Sequence, residues 1–161
     1  MLYRQLLAGS FDSLAPALRR LHGGEGRVRF AGPVTVRHTR GWLARLAGFP
    51  PAGEDIPLEL EVAGAPEGET WSRSFGGSLR RSVQRYENGH MVEQLGPLRL
   101  YFRIFADGQH LRIESAKARF WGMPVPVQVK AVERGRGSDG FDFEVHVSLV
   151  GSYSGVLELQ P

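Results

Sequence analysis

The segment Leu98-Arg99-Leu100-Tyr101-Phe102-Arg103-Ile104 places an aliphatic or aromatic side chain at every second position. A period of two is typical of a β-strand with one buried face. The same alternation recurs at 34–37, 56–62 and 141–149. Dipeptides typical of tight hairpin turns also occur in the chain, at Asn88-Gly89, Asp107-Gly108 and Asp139-Gly140. These patterns predict a meander of antiparallel strands.

Helical periodicity is confined mainly to the first quarter of the chain. Leu14, Leu18 and Leu21 recur at helical spacing. We expect two short helices within residues 1–24, separated near Gly9-Ser10, with Asp12 or Ser13 capping the second, and a third short helix at 42–47. No helical stretch separates the later strands, which excludes parallel βαβ units as the main architecture.

The predicted fold class is therefore α+β, mostly β. Short N-terminal helices pack on a curved antiparallel meander sheet of about 9–10 strands, spanning 27–160, which forms a barrel, half-barrel or sandwich. The length of 161 residues predicts a single domain, 1–161, and 42% hydrophobic residues are enough for a core. Disorder is excluded on the same grounds.

Composition also excludes several kinds of site and partner. The chain has no cysteine, which excludes disulfides, thiolate zinc sites and cysteine nucleophiles. It has no apolar run of membrane-spanning length and no signal-peptide pattern, so we expect a cytoplasmic protein without a transmembrane segment. The isoelectric point is near 9.7, but the basic residues are spread among 17 acids, which does not favour nucleic-acid binding.

Four segments together resemble one bacterial family. They are the helical opening at 2–7 and 14–22, then Glu69-Thr70-Trp71-Ser72-Arg73-Ser74-Phe75-Gly76-Gly77, Met91-Val92-Glu93-Gln94-Leu95-Gly96-Pro97-Leu98 and Trp121-Gly122-Met123-Pro124-Val125-Pro126. The family is a domain of unknown function, found alone or fused C-terminal to saccharopine-dehydrogenase-like NAD(P)-binding proteins. The resemblance implies a self-contained domain and an NAD(P)-dependent oxidoreductase as a partner, and it supplies no catalytic residues. The chain itself has no Gly-x-Gly-x-x-Gly unit that follows a strand and opens a helix.

Charged residues interrupt the apolar phase of three predicted strands. Arg73 lies in phase with Trp71 and Phe75, Arg81 lies in phase with Leu79 and Val83, and Glu93 falls between Met91 and Leu95. A buried charge needs a partner or a water-filled interior. We therefore expect a polar spot of Arg73, Arg81 and Glu93 at the end of an apolar cavity. Its predicted lining residues are Trp71, Phe75, Met91, Leu100 and Phe102, and an arginine fork there suits a carboxylate or phosphate.

Two alternatives remain open for these residues. Arg73 and Glu93 form a structural cross-strand ion pair, while Arg81 and Arg85 lie on a solvent-facing strand surface. A phase change in the strand from Leu111 to Trp121 predicts a β-bulge near Glu114-Ser115. The alternative is an unchanged phase, with Ser115, Lys117 and Arg119 pointing inward.

Other catalytic chemistry finds little support. The five histidines form no metal-binding motif, and His22 is explained by contact with a helix C-terminus. No nucleophile elbow occurs. We therefore predict no catalytic residues, no metal and no cofactor, and a non-enzyme is favoured. Catalysis by proton transfer would need a carboxylate such as Glu93 with a strongly raised pKa.

Two further segments have more than one interpretation. Trp42, Leu43, Leu46 and Phe49 form a short apolar helix that caps the sheet, touches a membrane or binds a partner. Gly122-Met123-Pro124-Val125-Pro126 is an extended lid or a loop over the core.

The favoured function is a non-catalytic binding module for a small hydrophobic or amphipathic ligand inside the curved sheet. The alternative is an accessory or oligomerisation domain of an NAD(P)-dependent oxidoreductase. The sequence leaves the ligand and the oligomeric state open.

Overall fold

The computed structural model describes residues 1–24 and 26–161, and strands make up 61% of these described residues. The helices are α1 (Leu2–Leu7), a 3₁₀ helix (Ala8–Ser13), α2 (Pro16–Leu21) and α3 (Gly41–Leu46). The strands are β1 (Arg27–His38), β2 (Gly53–Ala65), β3 (Gly68–Phe75), β4 (Ser78–Glu87), β5 (His90–Leu95), β6 (Leu98–Asp107), β7 (His110–Phe120), β8 (Met123–Pro124), β9 (Val129–Arg136), β10 (Gly140–Val147) and β11 (Gly151–Leu159). The mostly β fold with N-terminal helices is confirmed.

The sheet closes on itself. Strands β1 to β7 pair antiparallel in chain order, β7 then pairs with β9, and β10 and β11 follow. The pairing of β11 with β1 completes a ten-stranded barrel, while the two-residue β8 only adds to the end of β7. Of the architectures that the sequence left open, the barrel is the one that forms.

Successive strands run in opposite directions, so the connections between them alternate between the two ends of the barrel. The loop end carries the connections 39–52, 76–77, 96–97, 121–128 and 148–150, and the opposite end is called the helical end. The N-terminal helices are bonded to the helical end. There the Ala15 amide donates to the Gln109 carbonyl at 3.3 Å, and the Ser13 hydroxyl donates to the Gly108 carbonyl at 3.2 Å.

The core fills the barrel beneath these helices. Tyr3, Phe11 and Leu18 are fully buried from the helical side, and they join inward-facing strand residues such as Phe30 and Phe141 in one cluster. The Phe30 and Phe141 rings meet edge to face, with centroids 5.1 Å apart. The N-terminal helices therefore close one mouth of the barrel.

The helix boundaries differ in detail from the expectation. A 3₁₀ helix occupies Ala8–Ser13, so α2 begins only after Ala15. Ala15 is the N-cap residue, and no side chain caps α2 by a hydrogen bond. The expected capping by Asp12 or Ser13 is therefore wrong. The predicted third helix is confirmed as α3. In the part of the chain that the structure describes, no helix combines the length and apolar character needed to cross a membrane.

The predicted β-bulge is present in β7, slightly after the expected position. Tyr101 of β6 opposes Lys117, whereas Phe102 opposes Ser115, so Ala116 is the extra residue. After the bulge, Ala118 is buried and Lys117 and Arg119 are exposed. The alternative of an unchanged phase, with Ser115, Lys117 and Arg119 pointing inward, is therefore wrong for Lys117 and Arg119, whereas Ser115 shares the face of Phe102.

Candidate functional site

A polar cluster lies on the inner wall of the barrel, on β3, β4 and β5. Nη1 of Arg73 donates to Oγ of Ser82 at 3.0 Å and to Oε1 of Glu93 at 3.2 Å. The Ser82 hydroxyl also donates to Oε1 of Glu93. The three side chains meet because Ser82 is paired with Trp71, two residues before Arg73, and Glu93 is paired with Gln84 on the same face. Arg73, Ser82 and Glu93 together form the Arg73 cluster.

Aromatic side chains surround the Arg73 guanidinium. Its central carbon lies 4.8 Å from the centroid of the Trp71 ring, a cation–π distance. Tyr153 of β11 packs edge to face on Phe75, with centroids 5.4 Å apart. Burial raises the pKa of Tyr153, and the charge of nearby Arg73 acts in the opposite direction. The guanidinium thus has an aromatic wall beside its ion pair.

The ion pair keeps Arg73 charged. Burial alone would lower the pKa of Arg73, but the Glu93 carboxylate, together with Tyr153 and Tyr3, outweighs burial and the pKa is raised. An arginine held in this way is a permanent cation inside the barrel. The cross-strand ion pair that the sequence offered as an alternative is therefore formed.

The Arg73 guanidinium does not use all of its hydrogen-bond donors within the described part of the chain. Its Nε and Nη2 groups make no hydrogen bond to the residues that the structure describes. Both nitrogens keep some contact with solvent, and 16% of the Arg73 side chain is accessible. The Nε and Nη2 groups form a planar fork of donors that matches a carboxylate or phosphate. Arg73 can therefore accept a second anion while keeping Glu93.

Part of the apolar interior near the loop end is accessible to solvent. Several inward-facing apolar side chains near that end are only partly buried: Leu95, Leu98, Val145, Val147 and Tyr153. Other side chains at that end, such as Val36 and Phe75, are buried, and the helical end also has partly buried apolar side chains, such as Val28 and Leu159. The N-terminal helices close the helical end, and the loop end is the mouth of the barrel that these helices leave uncovered.

The structure brings most of the predicted site residues together. The five apolar residues of the predicted lining are buried and belong to the core cluster: Trp71, Phe75, Met91, Leu100 and Phe102. Arg73 and Glu93 are joined by the ion pair. Their role as ligand-binding residues stays a prediction.

Arg81 is the exception. Its side chain is exposed, and it pairs with Ser72 on the outer face of the barrel. The inner face of β4 carries Arg80, Ser82 and Gln84 instead. Ser82 belongs to the Arg73 cluster through its hydrogen bonds. The expectation that Arg81 joins Arg73 and Glu93 is therefore wrong.

A second buried polar group, near the helical end, was not predicted. His22 Nε2 and Glu133 Oε2 lie 2.6 Å apart, and the Tyr3 hydroxyl donates to Oε1 of Gln84 at 3.0 Å. The Trp71 indole donates to Oε2 of Glu69 at 3.1 Å. Glu69 shares the phase of Trp71 and Arg73, so the pattern contained a signal for it.

Two atoms of this second group are buried without a partner among the described residues, His22 Nδ1 and Glu69 Oε1. Burial raises the pKa of Glu69, although the nearby His22 and the Trp71 indole act against that change. His22 ends α2 as predicted, but its ring is fully buried against Tyr3, with ring centroids 3.9 Å apart. Its contact with Glu133, rather than a helix C-terminus alone, explains its position. The residues that the structure describes contain no cluster of three potential metal ligands.

Two concavities lie on the outside of the barrel. One, of about 570 Å³, lies over the outer wall of β6 and β7 and is lined by Arg99, Tyr101, Arg119 and Trp121, among others. The other, of about 300 Å³, lies beside Arg27 and the C-terminal residues. Neither is lined by the predicted interior residues, so the predicted internal cavity stays a prediction.

Comparison with known protein families gives a match over most of the chain. A family model described as "Domain of unknown function (DUF4166)" matches residues 14–155. No curated protein matches the chain.

Proposed function

The chain belongs to the DUF4166 family, whose description assigns no activity, and we propose from the barrel itself that the protein is a binding module for a small amphipathic ligand. The ligand has an apolar body and one anionic group, a carboxylate or a phosphate. The observation that carries this proposal is the free Nε and Nη2 fork of Arg73 on the inner wall of the barrel.

The anionic group binds to this fork. Charge-assisted hydrogen bonds in a bidentate arrangement are among the stronger polar contacts in proteins. Glu93 accepts hydrogen bonds from Nη1 of Arg73 and from the Ser82 hydroxyl. The Nε and Nη2 groups of Arg73 are left for the ligand. The ion pair therefore orients the guanidinium and does not compete for the same donors.

The apolar body of the ligand extends toward the loop end. There the partly buried side chains of Leu95, Leu98 and Val147 offer apolar contact area. Burial of apolar surface contributes about 25 cal/mol per Å². The Arg73 cluster fixes the orientation of the ligand, and these side chains supply most of the contact.

The test compares dodecanoate with dodecanol by isothermal titration calorimetry. The two probes share a chain length and differ in the charge of the head group. We expect the protein to bind dodecanoate at least about tenfold more tightly, since a charge-assisted hydrogen bond contributes more than about 1.4 kcal/mol. The double variant Arg73→Met/Glu93→Gln removes the ion pair without leaving an unpaired charge, and it should lose the preference for dodecanoate.

Arg81→Met is the matched control, because Arg81 lies on the outer face of the neighbouring strand. This variant should keep the preference. The proposal fails if the unmodified protein binds neither probe, or if the double variant still prefers dodecanoate. Native mass spectrometry of the purified protein provides a second readout, since a retained small molecule should disappear from the double variant.

A further inference from the structure

Exposed hydrophobic side chains are concentrated at one end of the barrel. Ten large hydrophobic residues are exposed in the described part of the chain, and seven of these lie at the loop end. Five of the seven belong to three separate connections, with exposed fractions of 67% for Trp42, 78% for Leu46, 77% for Trp121, 64% for Met123 and 45% for Leu149. These five residues are called the apolar rim.

Two members of the apolar rim adopt strained backbone conformations. Trp121 has a φ of 47° and Leu149 has a φ of 66°. Both angles lie in the left-handed region, which bulky residues rarely adopt. Strain of this kind persists only where the surrounding structure enforces it, and it is found most often at functional sites. The backbone thus holds two large apolar side chains in solvent at a cost in stability.

Two of the connections that carry the apolar rim are held in place by contacts with the barrel. Phe49, which follows α3, packs on Tyr153 with ring centroids 5.7 Å apart, and Arg80 Nε donates to the Gly48 carbonyl at 2.7 Å. The Trp121 amide donates to the Pro97 carbonyl at 3.0 Å. These contacts anchor the connections inside or against the barrel, while Trp42 and Trp121 remain outside.

The charged residues within the connections of the loop end are all positive. The five connections of the loop end contain Arg40 and Arg45 and no acidic residue. Arg119, which is exposed, immediately precedes Phe120 and Trp121. Glu54 and Asp55 follow the first connection, at the start of β2. The helical end differs, since its connections include Glu67 and Asp139.

We infer that the loop end docks on the surface of an anionic phospholipid bilayer. Tryptophan favours the boundary between head groups and acyl chains, and leucine and methionine side chains insert beside it. Arginines next to inserted apolar residues add attraction to anionic head groups. The rim residues come from three loops around a mouth rather than from one continuous patch, which suits a flat, deformable surface better than a protein groove. Membrane docking of this kind goes beyond ligand binding and does not depend on it.

The experiment measures binding to vesicles of phosphatidylcholine with and without about 30% phosphatidylglycerol, by flotation and by tryptophan emission. Trp42 and Trp121 are exposed whereas Trp71 is buried, so a blue shift on binding reports the rim. We expect binding to the anionic vesicles that weakens as salt concentration rises. Vesicles with brominated acyl chains should quench the shifted emission.

The double variant Trp42→Ser/Trp121→Ser should lower vesicle affinity at least about tenfold. Its matched control is Tyr86→Ser/Phe105→Ser, which removes two exposed aromatic side chains that do not belong to the loop end. Arg40→Glu/Arg45→Glu should also weaken binding to anionic vesicles, whereas Arg103→Glu/Arg136→Glu, at exposed positions away from the rim, should have little effect.

Several outcomes would overturn the inference. One is an absence of binding to both kinds of vesicle, and another is an equal loss in the rim variant and its control. Sedimentation that shows self-association abolished by Trp42→Ser/Trp121→Ser would assign the rim to a second copy of the chain. Capture of an oxidoreductase through the rim, without vesicle binding, would assign it to a protein partner. The Arg73→Met/Glu93→Gln variant should bind vesicles normally, which separates membrane docking from the proposed ligand binding.

Discussion

At the scale of single residues, the two buried carboxylates near Trp71, Glu69 and Glu93, differ in their hydrogen-bond partners. Glu93 accepts hydrogen bonds from Arg73 and Ser82, so its charge is compensated. Glu69 accepts one hydrogen bond from Trp71, and its other oxygen is buried without a partner among the described residues. Burial of a carboxylate without a paired cation disfavours its charged form. The charge of Glu69 therefore opposes folding.

Replacing Glu69 with glutamine should change how stability depends on pH. Because burial raises the pKa of Glu69, the folded state holds this proton more tightly than the unfolded state, whose pKa is 4.5. The resulting contribution to stability is fully present below pH 4.5 and is lost as pH rises through the folded pKa. The melting temperature of Glu69→Gln, relative to that of the unmodified protein, should therefore increase as pH rises above about 4.5. Thermal unfolding followed by circular dichroism from acid to neutral pH measures this. Parallel curves for the two proteins would contradict the assignment.

Individual charges could be located from sequence where the rest of the strand was clearly apolar. Arg73 lies between two aromatics in phase, and its inward position was predictable. Arg81 was misplaced because Leu79 and Val83, with which it is in phase, lie on the outer face of β4. The inner face carries Ser82 and Gln84. A strand whose inner face is polar gives the wrong phase when apolar residues are used to find the core.

At the scale of elements, the seam between β1 and β11 depends on glycines. A Cβ atom at Gly32 would lie 2.0 Å from the Val156 carbonyl oxygen, and one at Gly155 would lie 2.5 Å from the Pro33 carbonyl oxygen. Both neighbours are backbone atoms, which cannot move away without breaking the pairing. The two strands therefore approach each other more closely than side chains would allow.

Gly32→Ala should destabilise the protein by about 1–3 kcal/mol, through overpacking at this seam. Chemical denaturation followed by tryptophan fluorescence measures the change. Gly9→Ala is the matched control, because a Cβ atom at Gly9 would meet no atom within 4 Å. An equal effect of the two substitutions would exclude the close approach as the cause.

The elements themselves were largely predictable, since period-two segments and hairpin dipeptides have local physical causes. The strands β6 and β10 follow their alternating segments closely. The start of α2 was predicted too early, because Ser13 donates to the Ser10 and Gly108 carbonyls and does not cap α2. A tertiary contact of this kind leaves no trace in the local sequence.

At the scale of the whole molecule, closure of the barrel was beyond sequence reasoning. The pairing of β1 with β11 joins residues near opposite ends of the chain, and no local pattern specifies it. The second polar group was missed for the same reason, because His22 and Glu133 are separated by 111 positions. Local pattern gives strands and their faces, while the pairing of distant strands depends on the packing of the complete core.

The N-terminal helices should be essential for folding, although residues 1–13 precede the family match. Deletion of residues 1–13 removes Tyr3 and Phe11 from the core, and each large buried aromatic contributes about 3–5 kcal/mol. We expect the truncated chain to lose cooperative thermal unfolding in calorimetry. Arg4→Ala/Asp12→Ala, which removes an exposed ion pair from the same segment, should change stability by less than about 1 kcal/mol. A truncated chain that melts like the complete one would refute this role.

The alternation of strand direction also fixes where both chain termini lie. β1 starts and β11 ends at the helical end, where Met1 lies beside Gly24 and Pro161 lies close to Arg27. A fluorescent protein, an affinity tag or a neighbouring domain joined to either terminus would therefore project away from Trp42 and Trp121. Immobilising the protein through a terminal tag should present its hydrophobic mouth outward, in the same orientation for either choice of terminus.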